Sequence, residues 1–154
     1  MRYWLMKTEP TTFGIDHLER ARNQTTGWDG VRNFQVRNMM RDEMHRGDQA
    51  FLYHSSCEVP GIVATMEIVR DAYPDRTALD RKDPHYDPQS DPDAPRWLMV
   101  DVQLKRRLAR TITLAELREH ASKELRGMAL LKRGNRLSIT PVEPAHWRFI
   151  LSME

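Results

Sequence analysis

Cysteine is nearly absent from this chain of 154 residues: Cys57 stands alone. One thiol excludes any disulfide within the chain and any zinc site built on several cysteines, and it fits a reducing compartment. Long apolar runs are missing too. The opening MRYWLMKTEP holds four consecutive apolar side chains before Lys7, well short of a secretory segment or of the about 20 residues that cross a bilayer. No membrane association and a cytoplasmic location are therefore expected. Neither common glycine-rich phosphate loop is present. The six histidines lack the i, i+4 pairing and the tight cysteine–histidine spacing of zinc sites. The aspartates of residues 71–93 lack the spaced ligand series, closed by a glutamate, of an EF-hand. No metal and no cofactor are expected.

What is there is 40% hydrophobic and 30% charged, enough for one soluble domain over residues 1–154, expected to be a monomer. The net charge of +2 is unevenly spread: residues 71–95 hold three basic and seven acidic side chains, residues 96–136 eleven and four. The second stretch is a candidate electrostatic footprint for phosphate, with Lys105, Arg106, Arg107 and Arg110 at its centre. Arg32, Arg37 and Arg41 form a second basic group, the latter two spaced by one helical turn.

Residues 2–7 read as a buried first strand ended by Pro10. Thr11 or Thr12 is placed to cap a helix to about Arg20. Apolar spacing predicts a helix from Phe34 to about His45, closed at Gly47. Residues 49–55 and 61–69 read as strands. Residues 71–96 carry five of the nine prolines and seven aspartates, which excludes helix and central strand and predicts a long, stiffened loop. Residues 97–108 alternate as a strand. Thr113 and Glu116 have capping-box spacing at a helix start. A further helix is predicted over residues 122–132, a strand over 136–142 and a terminal helix over 143–153. Scattered strands and helices without strict strand-helix-strand rhythm suggest an α+β fold with a mixed sheet curled into a small barrel.

Three groups of residues invite a chemical reading. His54, Ser55, Ser56 and Cys57 are adjacent, but neighbours on a strand point to opposite faces, which works against His54 as base to Ser55 or Cys57. Lys7, Thr8 and Glu9 put an ammonium, a hydroxyl and a carboxylate at the end of an apolar strand, where small barrels open into pockets. Trp28 sits in GWDGVRN, a glycine-bordered stretch that reads as a surface turn. There it either folds back onto the domain or forms the wall of a cage for a flat ligand, which Gly27 and Gly30 would let approach closely.

Taken together, YWLMKTEP, GWDGVRN, GDQAFLYHSS, GIVATMEIV with AYPD, YDP with PRW, and LSITPV before Trp147 resemble the EVE domain family, in family order and over almost the whole chain. The family pattern often has glycine where Ala64 stands. The resemblance implies a PUA-like mixed β-barrel with surrounding helices that frame a pocket for a modified nucleobase. It implies Trp28 as a cage wall followed by Val31, Arg32 and Asn33, with Asn33 reading the base edge. Lys7, Thr8 and Glu9 lie at the polar end of the first strand, facing Tyr53, His54, Ser55 and Ser56.

The expected function is non-catalytic binding of a modified base in nucleic acid, with modified cytosine in DNA placed ahead of modified adenine or RNA. Phosphate contacts would come from the arginines and lysine named above. Trp28→Ala would weaken binding with little loss of stability. The alternative is hydrolysis of a modified nucleoside, as in related ASCH-type domains, with Lys7, Thr8 and Glu9 as its chemistry. A third reading makes the acidic loop a protein-interaction segment.

Overall fold

The computed structural model describes residues 1–154. Its strands are β1 (Tyr3–Thr8), β2 (Thr25–Trp28), β3 (Gln49–His54), β4 (Gly61–Pro74), β5 (Leu98–Thr113) and β6 (Ile139–Val142); its helices are α1 (Ile15–Arg20), α2 (Phe34–Asp42), α3 (Leu114–Glu119) and α4 (Pro144–Ser152). The strands form one mixed sheet in the order β2-β5-β4-β3-β1-β6. This corrects the expected barrel: β2 and β6 lie at opposite edges and do not pair, so the α+β sheet is open. No helix is long and apolar enough to cross a membrane.

β1 lies between β3, to which it runs parallel, and the antiparallel β6. Its near-continuous apolar run follows from burial on both faces. Trp4 and Met6 enter one core with Leu18 of α1 and Val36 and Met40 of α2. Leu5 enters the other with Phe51, Tyr53 and Ile150, where Trp147 of α4 stacks on Phe51 with centroids 3.9 Å apart. Asp48 is buried and ties the β1 entrance together, accepting from Trp4 Nε1, Arg2 N and His45 N, each at 3.0 Å.

Several boundaries differ from the sequence reading. α1 starts at Ile15, because Thr12 and Phe13 still turn back to the Glu9 carbonyl. No helix forms over residues 122–132: Gly127 takes φ 82° in mid-run, and only a 3₁₀ turn at Ala129–Leu131 remains. The capping box holds, with Thr113 Oγ1 accepting from Glu116 N at 3.1 Å and Glu116 Oε2 accepting from Thr113 N at 2.9 Å.

β4 runs to Pro74, into the stretch read as loop, and residues 75–97 then fold back through short turns. Here the aspartates have a common use. Asp75, Asp80, Asp83, Asp87 and Asp91 each accept the backbone N–H two residues on, the Asx turn that lets a proline-rich chain change direction repeatedly. The two edge strands are unlike: β2 is entered through Asn23 and Gln24, both at positive φ, and β6 carries Pro141.

Candidate functional site

The end of β1, the end of β2 and the acidic loop converge on a cleft of about 410 Å³, a size ordinary for small-molecule sites. Lys7 and Thr8 contribute from β1 and Glu9 from just beyond it, Phe13 from the turn before α1, Trp28, Asp29 and Gly30 from the end of β2 and the residues after it, and His85 from the loop. A smaller recess of about 140 Å³ continues past Thr26 and Gly27. Sequence reasoning brought Lys7, Thr8, Glu9 and Trp28 here and missed Phe13, Asp29 and His85. The signals for two of these were Phe13 as an apolar residue in a polar turn, and His85 beside Tyr86 in an aspartate-rich loop.

Trp28 closes an edge strand instead of standing in a turn: it pairs with Val100 of β5, is 8% exposed and belongs to the main core. Only a margin of the indole reaches the cleft. The glycines beside it admit the protein's own side chains. Gly30, at φ 81°, lies so close under the His85 imidazole that a Cβ would come within 2.7 Å of it, and a Cβ on Gly27 would meet the Met99 methyl.

Two groups give the cleft its electrostatic character. Burial lowers the Lys7 ammonium pKa. Asp29 is raised above the usual aspartate range, first by partial desolvation and then by repulsion from Asp75. The cleft thus pairs a donor and an acceptor that lack a full solvent shell. Thr8 Oγ1 donates to the Phe13 carbonyl at 2.7 Å, so nothing activates it as a nucleophile.

Asp75 lies just beneath. Its side chain is fully buried and accepts from Gly30 N at 2.9 Å, Thr77 N at 2.9 Å, Thr77 Oγ1 at 2.6 Å and Arg32 Nη1 at 3.1 Å. Arg32 also donates to the carbonyls of His85 and Val31 and to Thr77 Oγ1, which occupies its guanidinium. It clamps the loop to the cleft and has no donor left for a phosphate. Val31 is buried in the core, and Asn33 Oδ1 caps α2 by accepting from Val36 N at 3.0 Å. Neither lines the cleft.

Tyr53, Ser55 and Ser56 open with Lys7 onto a separate cavity. His54 reaches neither: its Nε2 accepts from Ile15 N at 3.1 Å, at the start of α1. Burial lowers the pKa of this imidazole; Asp16 opposes the shift and Arg107 adds to it. With a folded pKa below the ordinary value of about 6.5, its contribution to stability is complete above about pH 6.5 and is lost as pH falls further. His54→Gln keeps an acceptor and removes the titration, so its Tm is expected to fall less than wild type between about pH 7 and about pH 5. Equal falls would clear His54 of that role.

All but one of the remaining cations named from sequence already face acids. Arg106 meets Glu154 at 2.7 Å, Arg107 meets Asp16 at 3.0 Å and also Glu19, Arg110 meets Glu116 at 2.8 Å, and Lys105 lies 3.7 Å from Glu67. Arg41 pairs with Asp42, while Arg37 donates to the Arg96 carbonyl and lies over the Phe34 ring.

Comparison with known proteins gives this geometry a family. Residues 2–153 match the EVE domain. Thymocyte nuclear protein 1 of Danio rerio is 50% identical over 166 residues, covering 98% of this chain and 71% of that protein. The crystal structure of human THYN1 protein in complex with 5-methylcytosine-containing DNA superimposes with a TM-score of 0.94 at 44% identity, covering 99% of this chain and 97% of that one. A Pseudomonas putida protein gives a TM-score of 0.92 at 42% identity, covering 98% of each chain. With the family match spanning residues 2–153 and these relatives aligning over 98% or more of its length, this chain belongs to the EVE domain family.

Proposed function

We propose that this protein is a monomeric, non-catalytic reader that accepts a modified cytosine of DNA into the cleft at Trp28. The observation that carries the reading is the human relative, of the same fold, crystallised with 5-methylcytosine-containing DNA. The cleft's chemistry is compatible with it. Cytosine presents an exocyclic amine that a carboxylate accepts from, a role Asp29 would fill, while Lys7 donates to the ring acceptors. Phe13 and the margin of Trp28 supply apolar walls. The base enters from a single strand or after flipping, at a cost of a few kcal/mol that backbone contacts must help offset. The cytoplasmic location expected from sequence belongs to the same proposal.

The test is fluorescence anisotropy with two DNA strands that differ only in the C5 methyl of one cytosine. Burying one methyl is worth about 0.8 kcal/mol, a preference of about fourfold for the methylated strand. Asp29→Asn is expected to weaken both strands. Equal wild-type affinities for the pair, with tighter binding of a modified-adenine or RNA strand, would replace the assignment. Product formation from modified nucleosides would move the protein to the hydrolase reading.

A further inference from the structure

The cavity that shares Lys7 with the cleft has a volume of about 450 Å³ and is lined by four cations, Lys7, Arg118, Lys132 and Arg133, and by no carboxylate. This sets it apart from the rest of the basic surface. The arginines of β5 each face an acid, whereas none of these four side chains has an acidic partner. Four positive charges around one hollow repel each other, and a partly enclosed wall strengthens the effect, so the arrangement favours an anion. A second observation points the same way. Tyr53 is 3% exposed and lines this cavity, and its hydroxyl, which makes no hydrogen bond within the protein, keeps a solvent-reaching edge from which it can donate to an occupant.

The backbone that carries the cations is also held in place. Asn135 N donates to the Lys132 carbonyl at 3.2 Å, Asn135 Nδ2 to the Ala129 carbonyl at 2.6 Å, and Gly134 takes φ 78° between them. Lys7 N donates to the Ser138 carbonyl at 2.8 Å, which binds this turn to the end of β1. Arg118 projects from α3, whose start is fixed by the capping box.

We infer that this cavity is the phosphate seat of the protein: it takes a backbone phosphate of the strand whose modified base occupies the neighbouring cleft, with Arg118, Lys132, Arg133 and the Tyr53 hydroxyl as ligands and Lys7 between the two. The inference rests on the proposed function for the identity of the strand. It moves the main phosphate-binding surface away from β5, where the charge pattern of the sequence put it.

The test replaces Arg118, Lys132 and Arg133 together with glutamine, which keeps the apolar stems and removes the charges. Affinity for a single-stranded probe carrying one 5-methylcytosine is expected to fall tenfold or more, with an unmethylated probe falling equally. The slope of log affinity against log salt should flatten by about 0.7 for each phosphate that the variant no longer neutralises. A probe with uncharged methylphosphonate linkages beside the modified base should bind wild type more weakly and show no further weakening with the triple variant.

If the triple variant keeps wild-type affinity and slope while wild type still prefers the methylated probe, the phosphate seat is wrong and the base reading stands. If wild type shows no methyl preference but the variant still loses affinity and slope, the seat stands and the base reading fails. A triple variant that loses affinity equally for charged and methylphosphonate probes also overturns the seat.

Discussion

Trp28→Ala is expected to cost about 3–5 kcal/mol of stability, as emptying a buried tryptophan site ordinarily does. In a chain of this length that is a Tm lower by about 6–20 °C. A turn in GWDGVRN would have made the substitution nearly silent for folding. The structure reverses that expectation, because the indole is 8% exposed and packs among the residues of the main core. Loss of DNA binding by the alanine variant would therefore say little about stacking. Trp28→Phe, read by anisotropy at a temperature where both proteins are folded, separates the two roles: it keeps most of the packing and shortens only the margin that reaches the cleft. A Tm for Trp28→Ala within a degree of wild type would contradict the placement of the ring.

Asp75→Ala is expected to destabilise to a similar extent, about 3–5 kcal/mol, since it strands the Arg32 guanidinium and leaves the Gly30 N–H without its acceptor. Asp91→Ala, in an exposed turn of the same loop, should stay within about 0.5 kcal/mol of wild type. Thermal or urea unfolding of the two variants makes the comparison. The pH dependence follows from the same carboxylate. Burial alone would raise its pKa, but the bonds from Thr77, Gly30 and Arg32 outweigh burial and hold it below the usual aspartate value. A depressed folded pKa gives stability that is present above about pH 4 and is lost as pH falls through the folded value. Asp75→Asn should remove that part of the acid sensitivity. Binding should weaken with Asp75→Ala as well, because Gly30 and His85 border the cleft.

What the sequence disclosed was what is local. β1 and the Thr113–Glu116 cap were readable because their determinants lie within a few residues of each other. The helix over residues 122–132 was misread where apolar spacing outvoted one glycine that sits at φ 82°. Sheet closure depends on whether β2 and β6 meet, which no short-range pattern encodes. The site divides the same way. Lys7, Thr8, Glu9 and Trp28 were visible as family blocks, while His85 reaches the cleft through a loop whose path is set by Asx turns and by the Arg32 clamp. Arg32 itself looked like a phosphate ligand because its partner lies 43 residues away. Free and neutralised cations look alike in a sequence, so the charge count over residues 96–136 took in Arg118, Lys132 and Arg133 without separating them from the paired arginines of β5.

The open sheet also bears on how the protein behaves when crowded. A sheet with two free rims offers templates on which a second copy could extend it. Pro141 has no N–H to offer on one rim, and the four-residue β2 on the other is entered through a left-handed kink at Asn23 and Gln24. Concentrated solutions should for this reason resist fibre growth by strand addition, since both rims are blunted by backbone shape.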